Sequence, residues 1–229
     1  MRDSITEPSV RSLQVVQSEI RRCTRCVEAG HIAAAYPILR GNATARIMVI
    51  GQAPGVAAAE RPVPYSGATG RTLRAWLASA GFPDDAFHDP DRFYLTSLTK
   101  CFPGKARTGA GDRAPSRREI ALCSGHLETE LRLVLPELIL ALGRLSIEAL
   151  LPSLCGLPLV DLVGVPRSAE APFLDELPRD ELPHAEAGTL VLPLPHPSGV
   201  SRWLNLPEHR ARVEAGMAWL AQERELRGW

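Results

Sequence analysis

Apolar side chains recur every three to four positions at Val10, Leu13, Val16 and Ile20, which predicts a helix over residues 8–22 with one buried face. The pattern then changes. Residues 46–50 (RIMVI) are a short, β-branched and almost continuously apolar run, as in a strand buried on both faces of a parallel sheet. It stops in the turn sequence GQAPG at 51–55, and a second glycine-rich turn, YSGATG at 65–70, opens an amphipathic helix over 71–80 that Gly81 closes. Residues 93–101 alternate and are rich in β-formers, giving a second strand that ends at Cys101; a polar loop runs from 102 to 116. Pro115 and Ser116 start a helix reaching residue 135, residues 138–142 (LILAL) form a third strand closed by Gly143, and 146–151 a short helix. After a proline-rich, acidic stretch at 152–188, residues 189–194 are the fourth strand, the turn PHPSG follows at 195–199, and the last helix spans 207–224 with Val213, Met217 and Leu220 on one face.

Short apolar strands alternating with helices describe an α/β fold in one domain over residues 1–229, built on a four-stranded parallel sheet. Ligands of such sheets bind at the carboxyl ends of the strands. The turns GQAPG and PHPSG both fall there, so they are expected to face one crevice.

Composition narrows the picture. The chain has 229 residues, 45% hydrophobic and 23% charged, which is enough for a core without a disulfide framework. The 26 Lys and Arg balance the 26 Asp and Glu, excluding a protein that binds polyanions by bulk positive charge. Locally the balance breaks. Lys100, Lys105, Arg107, Arg113, Arg117 and Arg118 surround the single acid Asp112, whereas residues 167–188 hold six acids against two arginines. The basic loop suits phosphate contacts or a solvated surface equally. The polar, acidic start of the chain lacks the apolar core of a leader, and no apolar run is long enough for a membrane span. A cytoplasmic location with reduced thiols is expected.

The five cysteines are therefore read as metal ligands or buried residues. Cys23 and Cys26 are spaced C-x2-C, which sets two sulfurs on one side of a metal; Cys101 and Cys123 could complete a site for one zinc ion or one iron–sulfur cluster. Cys155, between Leu154 and Gly156, reads as a small buried hydrophobe. His196 stands between two prolines at a strand end, where its backbone is fixed and an α/β active site belongs.

In order, Cys23-x2-Cys26, GQAPG (51–55), PYSGATG (64–70), TSLTKC (96–101), Cys123 and the HPS beginning at His196 together resemble the iron–sulfur branch of the uracil-DNA glycosylase superfamily, families 4 and 5. The match covers residues 20–220. It implies a three-layer α/β/α sandwich around the four-stranded parallel sheet and a 4Fe-4S cluster on Cys23, Cys26, Cys101 and Cys123. The implied activity is hydrolytic release of uracil from DNA after the nucleotide is flipped out. His196 would then stabilise charge on the uracil O2, backbone at Gln52 and Ala53 would contact the base, Tyr65 would stack on it, and Ser97 would stand where an Asn reads its edge. Lys105, Arg107 and Arg113 would grip phosphates. Residues 199–203 resemble the loop that probes the minor groove, with Arg202 or Trp203 as the wedge.

The chain also departs from the family 4 pattern. Gln52 replaces the motif Glu, Val56, Ala57, Ala58 and Ala59 follow where acids are common, and Glu60 is the nearest carboxylate in sequence. Family 5 likewise lacks an acid in its first motif. The loop from 104 to 113 contains no histidine, so the covalent trapping of uracil-DNA found in a related group is not expected. The resulting expectation is a monomeric, monofunctional DNA glycosylase excising uracil, with uracil-containing DNA as its partner and no membrane. Alternatives are a catalytically weak protein that binds uracil or abasic sites, and a glycosylase for another deaminated base such as hypoxanthine.

Overall fold

The structure, a computed structural model, describes residues 12–107, 111–170, 188–198 and 202–229. Five strands form one sheet: β1 (Ile47–Gly51), β2 (Phe93–Ser97), β3 (Leu138–Leu142), β4 (Arg167–Ser168) and β5 (Leu190–Leu194), in the order β2-β1-β3-β5-β4. The four long strands are parallel, with Gly51 opposite Ser97 and Leu142 opposite Leu194, so their carboxyl ends lie along one edge. The expected four-stranded parallel sheet is thus present with one addition. β4 pairs antiparallel with β5 through two residues, too few for alternation to show in the sequence.

Helices cover both faces because β1 and β3 are buried throughout. On one face Met48, Ile50, Ile139, Ala141 and Val191 meet α1 (Leu13–Arg21), α5 (Arg117–Val134) and α6 (Arg144–Leu150) through Val16, Ile20, Leu127, Leu131 and Ile147. On the other, Ile47, Val49, Leu138, Leu140 and Leu192 meet α4 (Ala68–Ser79) and the C-terminal helix α8 (Pro207–Arg227) through Leu73, Leu77, Val213, Met217 and Leu220. Even- and odd-numbered residues of β1 take opposite faces, as strand geometry requires. The result is the α/β/α sandwich. Shortening a fully buried contact such as Leu131 to Ala is expected to cost about 2–5 kcal/mol.

Three short helices, α2 (Arg25–Glu28), α3 (Val56–Glu60) and α7 (Leu159–Leu162), complete the described α-helices. They fall in turn-rich sequence and carry less than two turns of pattern, so periodicity does not announce them. α1 is described from Leu13, and the earlier part of the expected 8–22 helix lies outside the described residues, as do most of the acidic 167–188 segment and residues 199–201. Cys155 corrects its reading as a buried hydrophobe: it follows a single 3-10 turn at Pro152–Leu154 and is exposed. No helix among the described residues is long and apolar enough to cross a membrane.

Candidate active site

β2 ends at Ser97, four residues earlier than alternation suggests, because the chain folds back onto the first motif. Leu98 N–H donates to Gly51 O (2.9 Å) and Thr99 N–H to Gln52 O (3.2 Å). The Ser97 hydroxyl donates to Thr99 O at 2.9 Å. The turns after β1 and β2 are therefore one hydrogen-bonded unit. Gln52 and Ala53 are both half-buried in it, and the Ser97 side chain is committed to its own turn.

Lys100, in the same motif, is buried. Its ammonium contacts Thr96 Oγ1 and Ser97 O at 2.7 Å each and pairs with Glu130 Oε2 at 2.5 Å. Glu130 also accepts from the Tyr94 and Thr96 hydroxyls at 2.9 and 3.2 Å. This network fixes the end of β2 against α5 and takes Lys100 out of contention as a nucleophile.

Tyr65 holds a left-handed backbone conformation (φ 56°), uncommon for a residue with a side chain. Gly70 explains how the turn closes: a Cβ there would fall 1.7 Å from Tyr65 O. The Tyr65 hydroxyl donates to Thr96 O at 3.2 Å and stands 2.8 Å from where a Cβ on Gly51 would be. Its ring meets Phe87 edge-on, with centroids 5.9 Å apart. The tyrosine is thereby anchored at both ends over the carboxyl ends of β1 and β2.

His196 lies two residues beyond β5, between the buried Pro195 and Pro197. Gly143, just past β3, has φ 83° and donates its N–H to Leu194 O at 2.8 Å. A Cβ at Gly143 would come within 3.3 Å of His196 Cβ and 3.6 Å of its Cδ2. Burial pulls the His196 pKa below its ordinary 6.5, so the imidazole is neutral at pH 7 and carries one N–H.

The four cysteines expected to act together line a single small cavity, with Glu119 and His126 among its other walls. Burial, together with the neighbouring sulfurs, pushes the Cys101 thiol up to about 12, and raises Cys26 and Cys123 as well. Such a set ionises when a metal centre supplies the positive charge. An iron–sulfur cubane holds each cysteine on a different iron and spreads the ligands apart. His126 Nε2 is buried without a hydrogen-bond partner among the described residues, a donor suited to a cluster sulfide. Four thiols lining one cavity, with a buried imidazole beside them, fit a soft-metal centre such as an iron–sulfur cluster.

Arg113 belongs to this region. It makes a two-pronged ion pair with Glu119 (2.7 Å to each oxygen) and donates to His31 O at 3.2 Å. Glu119 also closes the capping box of α5 with Ser116. Burial alone would raise the Glu119 carboxyl, but Arg113 and Ser116 bring it down to about 2. Arg113 thus pairs its guanidinium with Glu119 and His31 O, while 32% of its side chain stays exposed. Lys105 lies over the Phe102 ring and pairs with Asp112 at 2.9 Å, while Arg107 is exposed. Of the two residues proposed to enter the groove, Arg202 is exposed; the Trp203 ring stacks on His209 (4.1 Å between centroids), whose Nδ1 is 2.8 Å from Trp203 O.

Sequence reasoning missed three contributors: Gly143, the Arg113–Glu119 pair and Asp112. The signal for the last was its solitary negative charge in a basic loop. Asp112 Oδ2 accepts from Val56 N–H at 3.0 Å, so a carboxylate from that loop reaches the residue just after the first motif.

The family model of the uracil DNA glycosylase superfamily matches residues 39–218. Three relatives are named Type-4 uracil-DNA glycosylase: one from Sulfurisphaera tokodaii is 29% identical over 59% of this chain and 56% of its own, and one from Pyrobaculum aerophilum 30% identical over 61% and 64%. The third, from Archaeoglobus fulgidus, is 29% identical over 60% and 62%. The chain thus spans 56–64% of the length of these curated relatives. With the family model covering most of its length, the chain belongs to the uracil DNA glycosylase superfamily.

Proposed function

We propose that this chain is a monofunctional uracil-DNA glycosylase that flips uracil out of DNA and hydrolyses its N-glycosidic bond. The observation that carries the reading is His196, held neutral at the end of β5 and braced on Gly143. As the bond to the sugar stretches, C1′ gains oxocarbenium character and the base gains negative charge on O2. A neutral imidazole donates its N–H to that oxygen without needing to lose a proton, and the hydrogen bond strengthens as charge develops. Tyr65, locked by its hydroxyl, offers a ring edge and face to the base, and backbone at Gln52 and Ala53 borders the same place. Arg107 and Arg202 are the exposed cations suited to phosphates.

Cys23, Cys26, Cys101 and Cys123 would hold a 4Fe-4S cluster, which when bound supplies a cross-link between the C-x2-C segment, the loop after β2 and α5. Lys100 and Glu119, each held in an ion pair, stand among the walls of the cysteine cavity. A base range wider than uracil is a second reading, favoured by Ser97: its hydroxyl is turned to Thr99 O, so it leaves the base edge without an amide to read it.

The test is release of uracil from single- and double-stranded oligonucleotides by the wild type and His196→Ala, followed by alkaline cleavage, with hypoxanthine substrates alongside. Excision by the wild type that falls by roughly 10²–10³-fold in the variant supports the reading. Tight binding without excision by the wild type would replace it with a damage-binding protein.

A further inference from the structure

Hydrolysis needs a group that orients the attacking water on the sugar face opposite the departing base. The first motif offers none. Residues 51–59 carry no carboxylate, and Glu60 is exposed at the far end of α3. Asp112 reaches that motif from another part of the chain. Its Oδ2 accepts from Val56 N–H at 3.0 Å and lies 3.1 Å from where a Cβ on Gly55 would stand. Its Oδ1 accepts from Lys105 Nζ at 2.9 Å.

The position is built, not incidental to a wandering loop. Lys105 and Asp112 form an antiparallel bridge. Ala106 N–H donates to Gly111 O (2.8 Å) and Arg113 N–H to Gly104 O (3.0 Å). The next residue, Arg113, is fastened to Glu119 and to His31 O. The two arms, 104–106 and 111–113, are thus tied to each other, and Asp112 ties them to the residue that follows the turn after β1. A carboxylate has about four acceptor sites, and two are used here, which leaves room for a water.

We propose that Asp112 is the water-orienting carboxylate of this chain, supplying from the loop what the first motif lacks. The assignment rests on the glycosylase reading above. In the step, the C1′–N1 bond breaks with its electron pair going to uracil, whose O2 is held by His196. The water oxygen bonds to C1′, one of its protons passes to Asp112, and that proton then leaves to solvent or to the uracil anion. The products are free uracil and an abasic site. No other reactant is required.

The experiment measures single-turnover uracil release from a single-stranded oligonucleotide by the wild type, D112N, D112A and E60Q. Binding of a uracil-free strand is read by anisotropy, and D112A is assayed with and without sodium formate. D112N keeps an acceptor for Val56 N–H and removes the charge, so it separates the chemistry from the latch. The expected result is a loss of roughly 10²-fold or more in D112N and D112A. Strand binding and the E60Q rate should stay within about threefold of wild type. Formate, a small carboxylate, should restore D112A by about tenfold or more, as a merely structural role would not allow. A D112N rate within about threefold of wild type overturns the assignment and leaves the glycosylase reading standing; so does a D112A loss that formate does not relieve. A wild type that releases no uracil overturns the parent reading and this one with it.

Discussion

Gly143 and His196 meet across the ends of β3 and β5, and the fit is tight: a Cβ at 143 would lie 3.3 Å from His196 Cβ, so the histidine would have to give by a few tenths of an ångström. The φ of 83° adds a second obstacle, because L residues pay roughly 1–2 kcal/mol in the left-handed region. Gly143→Ala is therefore expected to lower the melting temperature and to move the imidazole. A misplacement of a few tenths of an ångström lowers the rate by less than the ~10²-fold that a 1 Å shift costs. Single-turnover uracil release by G143A, with strand binding as control, checks this; a rate within about threefold of wild type would show that His196 does not depend on the contact.

The burial that lowers the His196 pKa also fixes the sign of a stability effect. The unfolded chain has this histidine near its ordinary 6.5, and the folded chain holds it lower. Below 6.5 the unfolded state binds the extra proton, so stability falls as pH drops through that value and is unaffected well above it. Urea midpoints at pH 5.5 and 7.5 should differ more for the wild type than for His196→Asn. Equal differences would mean that His196 takes up its proton in the folded protein as readily as in the unfolded one.

The four long strands and their helices were legible because β1 and β3 are buried on both faces and read as unbroken apolar runs. That the four cysteines meet at one cavity, and that His196 stands at a strand end, was legible from order and spacing. What sequence could not show was set by long-range contacts. Ser97 looks free to read a base until its hydroxyl is seen bonded to Thr99 O. Arg113 reads as a phosphate contact, and the two-pronged pair it makes with Glu119, six residues on, is not announced by any local pattern. Asp112 and Val56 are 56 positions apart in the chain, and no local pattern links them.

Arg113 and Arg107 are expected to behave differently although both sit in the basic loop. Arg107→Ala should weaken binding to a single strand and reduce the slope of log K against log salt by about 0.7, the value for one phosphate contact. Arg113→Ala should leave that slope unchanged and instead lower thermal stability, since Glu119, 4% exposed, loses its charge partner. Salt titrations by anisotropy and melting curves decide. An identical drop in slope for both would return Arg113 to the DNA surface.

The cysteine cavity yields a prediction that does not depend on activity. Protein purified without oxygen is expected to be brown and to contain iron and sulfide, whereas Cys101→Ser and Cys123→Ser should lose both. Burial keeps these thiols protonated in the absence of a metal, so the free protein should bind iron more weakly as pH falls. Cys155→Ser, at an exposed position, should keep the full iron content. Colourless protein carrying one zinc would overturn the cluster assignment.

Lys100 and Glu130 form an ion pair with side chains only 2% and 0% exposed. Such a pair adds little to stability relative to well-packed apolar residues, because desolvating two charges offsets most of their attraction. Removing one partner is different. Lys100→Met would leave the Glu130 charge buried with only the Tyr94 and Thr96 hydroxyls and is expected to cost about 3–5 kcal/mol. It would also release Ser97 O, which the ammonium now holds, and so loosen the turn that leads to Cys101. The double variant Lys100→Met, Glu130→Leu removes both charges and should recover much of the stability in urea denaturation while the turn stays loose. Its iron content should therefore remain below wild type even where its stability does not. Equal recovery of both would show that the pair serves the core alone and not the strand end it abuts.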